Sequence, residues 1–321
     1  MTRSSFAAGS AFASHAPMPR LARRSFLALA AFAGAAHAQP AAWRDAARDR
    51  TLPMLLRLPA RGAPAPAVLL SHGLGGSREG LAYLGTALAE AGFVAIHMQH
   101  PGTDAELWRN GQDRTVALGS ALLDVRNALD RLLDVAFVLD TLADRPELRG
   151  YLDARRIAIA GHSFGAWTVQ HMLGQRLPTP RNDLPALPDP RLGAGISLSP
   201  TGAFGLPPRL AFARLSAPIL YVTGTLDRGY IEGATPEDRK LPYRSSTAPA
   251  ALAVLDGATH ASFADEPAAG SRWADSTYHA RTAALSVAFL RTVLLQDAAA
   301  RRSLLAAEPL GPDDRFEARG L

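Results

Sequence analysis

The feature that most constrains the fold is the pentapeptide Gly-His-Ser-Phe-Gly at positions 161–165. It stands between an apolar, strand-like run at 156–160 and a helix-like run at 167–173. A chain that passes from strand to helix in so few residues must turn sharply, with the apex residue in a strained conformation. The two glycines remove side chains that would collide in the turn. The pattern therefore predicts that Ser163 is an exposed nucleophile above a helix N-terminus, which favours developing negative charge.

Strand-like and helix-like segments alternate from about residue 49 onward. Alternation of this kind predicts an α/β fold with a mostly parallel central sheet and helices on both faces. The predicted strands are 51–58, 65–71, 93–98, 156–160, 193–198, 218–223 and 251–255, and the predicted helices are 81–91, 118–142, 167–173 and 277–295.

The same pattern predicts one catalytic domain over residues 39–298. Polar or proline-rich insertions interrupt it near 177–192, 201–214 and 228–247, and each could shape a pocket or be an ordinary surface loop. Residues 299–321 are predicted as a C-terminal tail that adds little to the core.

A serine hydroxyl needs a base, and the base needs a group that orients it. His260 follows the last predicted strand and Asp227 follows the strand before it. Loops at the carboxyl ends of parallel strands reach the same sheet edge, and the order Ser, Asp, His suits a nucleophile elbow of this type. His97, His100 and His279 are the alternative bases, and we favour His260 because its loop follows the last predicted strand. Asp256 is the main alternative acid, but it lies on the strand that carries His260.

Acyl transfer also needs donors for a developing oxyanion. A glycine-rich turn, Ser-His-Gly-Leu-Gly-Gly at 71–76, follows the strand at 65–71. We expect the backbone N–H groups of Leu74 and Phe164 to form the donor pair. The alternative, a phosphate-cradling loop, lacks the Gly-Lys-Ser/Thr ending and a dinucleotide fingerprint.

The computed isoelectric point is near 10, with 34 basic and 29 acidic residues. Residues 1–38 hold four arginines and no acid, so the remainder carries 30 basic against 29 acidic residues and is nearly neutral. We therefore expect no nucleic-acid partner. The chain has no cysteine, which excludes a disulfide framework, a thiolate metal site and a cysteine nucleophile.

The N-terminal segment has the pattern of an export signal. Arg23-Arg24 precedes an apolar run at 27–36, and Ala-His-Ala at 36–38 forms a small-x-small cleavage site. The arginine pair resembles a twin-arginine signal; a general secretory signal is the alternative, as is a start at Met18. The apolar run is too short to span a bilayer, and we expect a periplasmic or secreted protein cleaved near Ala38.

Two motifs carry a family resemblance. Val-Leu-Leu-Ser-His-Gly-Leu-Gly-Gly at 68–76 and the pentapeptide at 161–165 resemble the α/β-hydrolase superfamily over about residues 49–298. They are most similar to its platelet-activating-factor acetylhydrolase and dienelactone-hydrolase-like branch, and His-Met-Gln-His-Pro-Gly at 97–102 resembles bacterial members. The resemblance implies Ser163 as nucleophile, Asp227 as acid and His260 as base. It also implies Leu74 and Phe164 as oxyanion donors.

The chain departs from this branch in two ways. Dienelactone hydrolases use a cysteine nucleophile. In the animal acetylhydrolases the acid follows the strand before the one that carries Asp227, whereas that earlier strand here ends Ser-Leu-Ser-Pro at 197–200, without a carboxylate. The acid is therefore expected in the later position.

These observations predict an exported serine hydrolase that cleaves short-to-medium acyl esters, small or lipid-like, without a metal or organic cofactor. Its pocket is expected to contain His100, Trp108, Trp167 and Met172, the last two of which could equally be core residues. Lipase, polyester or amide hydrolysis on the same fold remains an alternative, as does a non-catalytic binding protein. The oligomeric state is left open.

Overall fold

The computed structural model describes part of the chain. The described residues are Met1, 38–60, 62–108, 113–177, 188–203, 205–229, 231, 233–265 and 276–321, without the side chains of Trp108 and Ser276. The predicted leader therefore falls outside the described residues, apart from its two ends.

Within these ranges nine strands form one sheet. They are β1 Ala38–Asp45, β2 Arg50–Arg57, β3 Ala65–Ser71, β4 Val94–Met98, β5 Leu152–His162, β6 Leu192–Leu198, β7 Ile219–Leu226, β8 Ala250–Thr259 and β9 Arg315–Arg319. The α-helices of the described ranges are α1 Ala82–Glu90, α2 Arg114–Leu123, α3 Val125–Thr141, α4 Phe164–Met172, α5 Pro208–Ala211, α6 Leu241–Ser245, α7 Ser276–Leu295 and α8 Ala298–Leu305. None of these helices has both the length and the apolarity that crossing a membrane would require.

The sheet runs in the order β1-β2-β4-β3-β5-β6-β7-β8-β9. The six strands from β4 to β8 in this order are parallel, and β1, β2 and β9 pair antiparallel at the two edges. Every residue of β3 is buried, as expected for a strand covered on both faces. The predicted mostly parallel sheet is confirmed.

Helices cover both faces of the sheet, and alternate residues of one strand face opposite layers. Val68 and Leu70 belong to the apolar cluster that contains residues of α1 and α7. Leu69 lies between them in sequence and belongs to the other cluster, with residues of α3 and α4. This alternation follows from the two-residue period of a strand.

The predicted helix at 118–142 is two helices in the structure. Asp124 interrupts it in an extended conformation, and its carboxylate accepts a hydrogen bond from the Arg126 N–H at 2.8 Å. An aspartate is favoured at a helix N-cap because it satisfies backbone donors that have no partner within the helix. Helical periodicity continues through such a break, so the pattern alone did not reveal it.

The C-terminal segment belongs to the core, contrary to the predicted tail at 299–321. α8 contributes Leu304, which is fully buried, and β9 pairs with β8 from Ala250↔Arg319 to Val254↔Arg315. The β9 sequence, Arg-Phe-Glu-Ala-Arg, is short and charged. Such a sequence is typical of an edge strand and gives little apolar signal.

The register brings the carboxyl ends of five strands together. Ser71 of β3 lies opposite Gly161 of β5, Gly161 lies opposite Ser197 of β6, and Leu198 lies opposite Val222 of β7. β8 continues alongside β7 as far as Thr259. Residues that follow these strands therefore meet at one edge of the sheet.

Candidate active site

Ser163 lies at the apex of a sharp turn between β5 and α4. Its backbone has φ 56° and ψ −113°, a conformation that side-chain-bearing residues adopt only under strain. The Ser163 N–H donates to the carbonyl oxygen of Leu198 at 2.9 Å, and its own carbonyl accepts from Trp167 at 3.0 Å. Bonds to β6 and to the first turn of α4 hold the turn in place.

The two glycines of the pentapeptide are required by close approach. A Cβ atom at Gly165 would lie 1.9 Å from the carbonyl oxygen of Ser71, and one at Gly161 would lie 2.4 Å from the Gly165 carbonyl. Both obstacles are backbone atoms that cannot move aside. The steric reason predicted for these glycines agrees with these distances.

Ser163, His260 and Asp227 form a continuous hydrogen-bonded chain. The Ser163 hydroxyl lies 2.8 Å from Nε2 of His260, and Nδ1 of His260 lies 2.9 Å from Oδ1 of Asp227. Because a carboxylate can only accept, Nδ1 carries the hydrogen and Nε2 is free to accept the serine proton. The His260 side chain is 16% exposed and Asp227 is fully buried. The structure thus brings together the three residues that the sequence singled out.

Asp227 is held as a carboxylate by its surroundings. Its Oδ2 accepts from the Ser199 hydroxyl at 2.6 Å and from the Thr223 hydroxyl at 2.8 Å. Burial by itself would raise the pKa of Asp227. The hydrogen bond from His260 and the charges of His260 and Arg239 outweigh that effect and lower this pKa well below its ordinary value. Ser199 itself has φ 51° and stands where the preceding strand ends.

A buried arginine, which sequence reasoning missed, lies beside this pair. Arg239 is 1% exposed, and its Nε is 3.3 Å from Oδ1 of Asp227. Its Nη1 donates to the carbonyl oxygen of Pro200 at 3.2 Å, and its Nη2 lies 3.2 Å from Nδ1 of His260. Since both nitrogens of that last contact carry hydrogen, the guanidinium acts on the pair through Asp227. No motif in the polar stretch 228–247 marks this residue.

His162 ties the loop of His260 to the turn. Burial lowers the pKa of His162 to about 3, so its ring is neutral, and Nε2 donates to the carbonyl oxygen of His260 at 2.9 Å. The His162 ring lies 4.8 Å from the His260 ring, so the residue before the nucleophile packs against the base.

The glycine-rich loop after β3 lies directly against the turn. A Cβ at Gly73 would come within 3.5 Å of the Ser163 Cβ. The Gly75 N–H donates to Thr103 and the Gly76 N–H to Gly73. Among the described backbone bonds of this loop, the Leu74 N–H has no acceptor. Phe164, the first residue of α4, has an N–H without a partner inside the helix.

The four predicted pocket residues fare differently. His100 and Met172 are 0% and 1% exposed, so neither lines an open pocket, and that prediction is wrong for both. Met172 packs in the apolar cluster beneath α4. Trp167 is 8% exposed and lies 4.0 Å from the His171 ring, largely within the core. The Trp108 side chain lies outside the described residues.

The competing candidates lie away from the serine. His97 is buried against α1, where a Cβ at Gly85 would meet its ring. His279 stacks on Tyr83 at 3.9 Å, and Asp256 accepts from Thr225 at the exposed end of β8. In the described part of the chain, no group of three or more His, Asp or Glu side chains is arranged to hold a metal ion.

No protein-family model matches the chain. It is similar to curated proteins named platelet-activating factor acetylhydrolase. The guinea pig protein (Cavia porcellus) is 29% identical over 168 residues, covering 43% of this chain and 36% of the relative. The dog protein (Canis lupus familiaris) is 27% identical over 194 residues, covering 50% and 40%. The cattle protein (Bos taurus) is 30% identical over 146 residues, covering 36% and 33%.

The matched part thus spans between 33% and 40% of the length of these relatives. The similarity is distant and partial, but it accompanies a parallel sheet, an elbow at Ser163 and helices on both faces. The chain has the α/β-hydrolase fold, and its distant relatives bear the name of an acetylhydrolase.

Proposed function

We propose that the chain is a serine esterase that cleaves carboxylic esters of short-to-medium acyl length through an acyl-enzyme. The observation that carries this proposal is the hydrogen-bonded chain from Ser163 through His260 to Asp227, with Ser163 at φ 56° on a strand–helix turn. The name of the distant relatives, acetylhydrolase, supports a hydrolase that acts on esters.

The first half-reaction acylates Ser163. As the Ser163 oxygen forms a bond to the acyl carbon, its proton passes to Nε2 of His260, and the carbonyl electron pair moves onto oxygen. The N–H groups of Leu74 and Phe164 would stabilise that oxyanion. Collapse breaks the bond to the leaving oxygen, which takes the proton from His260 and departs as an alcohol.

The second half-reaction releases the acid. A water molecule gives a proton to His260 and attacks the acyl carbon. The tetrahedral intermediate then collapses to the carboxylic acid as the Ser163 oxygen leaves and takes the proton back from His260. Asp227 keeps Nδ1 protonated throughout and stabilises the imidazolium that forms in both steps. The hydrogen bonds from His260, Ser199 and Thr223 and the charge of Arg239 keep it ionised for that role despite its burial.

The test uses p-nitrophenyl esters from acetyl to dodecanoyl, together with a matched anilide and a polyester film. We expect ester turnover that falls by at least about 10³-fold in Ser163→Ala. Ser77→Ala, which removes a half-buried serine hydroxyl that donates to Glu79, is the control. Unchanged turnover in Ser163→Ala with an intact circular dichroism spectrum would overturn the proposal. Faster hydrolysis of the anilide or of the film would identify an amide or a polyester as the substrate class.

Export is part of the same proposal. The Arg23-Arg24 leader and the Ala-His-Ala site support it, and β1 begins at Ala38, so cleavage after Ala38 would remove only the first residue of that strand. Fractionation of cells that express the full chain or its Arg23→Lys, Arg24→Lys variant tests it. Equal amounts of processed protein outside the cytoplasm in both would argue against the twin-arginine route.

A further inference from the structure

A second polar cluster lies under the glycine-rich loop, beside the proposed site. Ser71 Oγ is 3.0 Å from Nε2 of His100, and Nδ1 of His100 is 3.0 Å from Oδ2 of Asp134. This is a second Ser-His-Asp chain, but all three side chains are fully buried, so no substrate reaches it. Arg131, one turn before Asp134 on α3, joins it at Ser71.

Arg131 is fully buried and donates to four acceptors on three separate segments. Its Nη2 donates to Ser71 Oγ at 2.8 Å and to the carbonyl oxygen of His72, its Nη1 to Thr103 Oγ1 at 2.8 Å, and its Nε to Thr168 Oγ1 at 3.1 Å. Within the described residues, no carboxylate lies within ion-pair distance of the guanidinium, whereas Asp134 is paired with Arg48 and Arg50.

Stability alone is a poor reason to bury this group. Desolvating a guanidinium costs several kcal/mol, and a well-packed apolar side chain in such a place is often neutral or stabilising. Arg131 instead uses its planar fork to fix several acceptors in one geometry. The role of Arg131 can therefore be inferred from the segments whose acceptors it holds.

The first set of acceptors brackets Leu74. His72, whose carbonyl oxygen accepts from Arg131, precedes the Gly73-Leu74 turn. Thr103, held through its hydroxyl, accepts the N–H of Gly75 on its carbonyl oxygen at 2.7 Å. The amide of Leu74 is thus fixed from both sides.

The second set fixes the start of α4. Thr168, which accepts from Arg131, donates its own hydroxyl to the carbonyl oxygen of Phe164 at 3.0 Å. The guanidinium carbon also lies 4.6 Å from the centre of the Phe164 ring. One side chain therefore holds both segments that carry the expected oxyanion donors.

We propose that Arg131 is the positioning residue of the oxyanion-binding pair: it sets the N–H of Leu74 and the N–H of Phe164 at a fixed separation. This inference rests on the proposed esterase function. Because oxyanion donors act mainly in the transition state, displacing them lowers kcat and leaves KM nearly unchanged.

The experiment compares Arg131→Met and Arg131→Lys with wild type. Active sites are counted by fluorophosphonate titration, and kcat is expressed per titrated site. We expect kcat to fall by about 10- to 100-fold in both variants with KM within about threefold. The inhibition constant of an aryl trifluoromethyl ketone, a tetrahedral mimic, should rise in parallel with KM/kcat. Lysine should not rescue, because it lacks the fork.

Arg145→Met is the matched control. Arg145 is half-buried and stacks over Trp43 at 4.3 Å and over Phe137, so its loss removes a cation–π contact like that of Arg131 on Phe164. If Arg131 variants do not fold, Thr168→Val removes one acceptor without changing the arginine and should lower kcat several-fold. Unchanged kcat per site in the folded variants, or equal changes in KM and in the ketone constant, would overturn the inference. If the Arg131 inference fails in this way but Ser163→Ala still abolishes ester turnover, the proposed esterase function is unaffected.

Discussion

At the residue scale, the meeting of Ser163, His260 and Asp227 could be predicted because each follows a strand of one parallel sheet. Chain order then decides which loops become neighbours, and no detailed geometry is needed. Arg239 and Ser199 could not be found in this way. Each is a single polar residue without a motif, and only the packed structure places it against Asp227.

His100 shows the opposite error. A histidine at the end of an apolar strand resembles a pocket residue, yet its two ring nitrogens are both used by Ser71 and Asp134. Burial and the positive charge of Arg131 lower the pKa of His100 to about 4, so it is a neutral structural group. Sequence alone does not distinguish a buried, satisfied histidine from one that faces substrate.

Asp227→Asn tests the role of the carboxylate at this scale. An amide can present its NH₂ group to Nδ1 of His260, which would favour the tautomer that cannot accept the Ser163 proton. We expect kcat to fall by about 10²- to 10⁴-fold with little change in KM. Steady-state kinetics on one p-nitrophenyl ester is the measurement.

Ser199→Ala is the matched comparison for Asp227→Asn. It removes one hydrogen bond to Oδ2 but leaves the carboxylate and its contact with His260. A loss of only a few-fold in kcat is expected, because the carboxylate stays charged and keeps its hydrogen bonds to Thr223 and His260. Equal losses in the two variants would argue that Asp227 acts only through packing.

At the element scale, the parallel strands were predicted well and the edges were not. β3 and the buried part of β5 are continuous apolar runs, which sheet burial on both faces demands. β1 and β9 lie at the two ends of the sheet and carry polar or charged residues. Their pairing depends on a neighbouring edge, which a local pattern does not record.

The edge strand β9 should contribute measurably to stability. Ending the chain after Asp314 removes β9 but keeps the Asp314 carboxylate that accepts from the Asp256 N–H at 2.8 Å. The truncation exposes the edge of β8 and the partly buried Phe316 contact. We expect a loss of about 2–3 kcal/mol, from the burial of one aromatic side chain and the ladder, and a fall in Tm of about 3–5 °C.

Thermal unfolding by circular dichroism measures the effect of the truncation. Phe316→Ala, which keeps the strand, should show roughly half of it because the backbone ladder remains. The kcat at 25 °C should stay within about twofold of wild type, since β9 lies beyond β8 at the sheet edge. An unchanged Tm would mean that β9 is only a passive extension.

At the scale of the whole molecule, buried histidines couple folding to pH. Burial is the main cause of a lowered pKa in five of them: about 3 for His97 and His162, about 4 for His100 and His171, and well below the ordinary value for His72. In the folded chain these rings stay neutral at pH 5, whereas in the unfolded chain they bind protons below about 6.5.

The sign follows from linkage. The unfolded state binds more protons than the folded state between about pH 6.5 and 4, so stability rises with pH across this window. The stability that these neutral rings contribute is fully present above pH 6.5. Below pH 6.5, each histidine loses about 1.4 kcal/mol of it for every pH unit. Asp227 and Asp134, whose pKa values are lowered, add stability above their ordinary value of 3.8 and do not offset the loss there.

The five histidines act in the same direction, so their losses accumulate against a stability of about 5–15 kcal/mol for a whole domain. We therefore expect the urea midpoint to hold between pH 8.5 and 7 and to fall steeply between 6.5 and 5. His171→Gln removes one titrating ring, whose Nδ1 lies 2.8 Å from the carbonyl oxygen of Trp167, and should reduce that slope by about a fifth. A midpoint that stays flat down to pH 5 would show that these rings accept protons in the folded state. If the urea midpoint of His171→Gln changes with pH as steeply as that of wild type, His171 alone accepts a proton in the folded state. Only a ring that is neutral when folded contributes to this pH dependence.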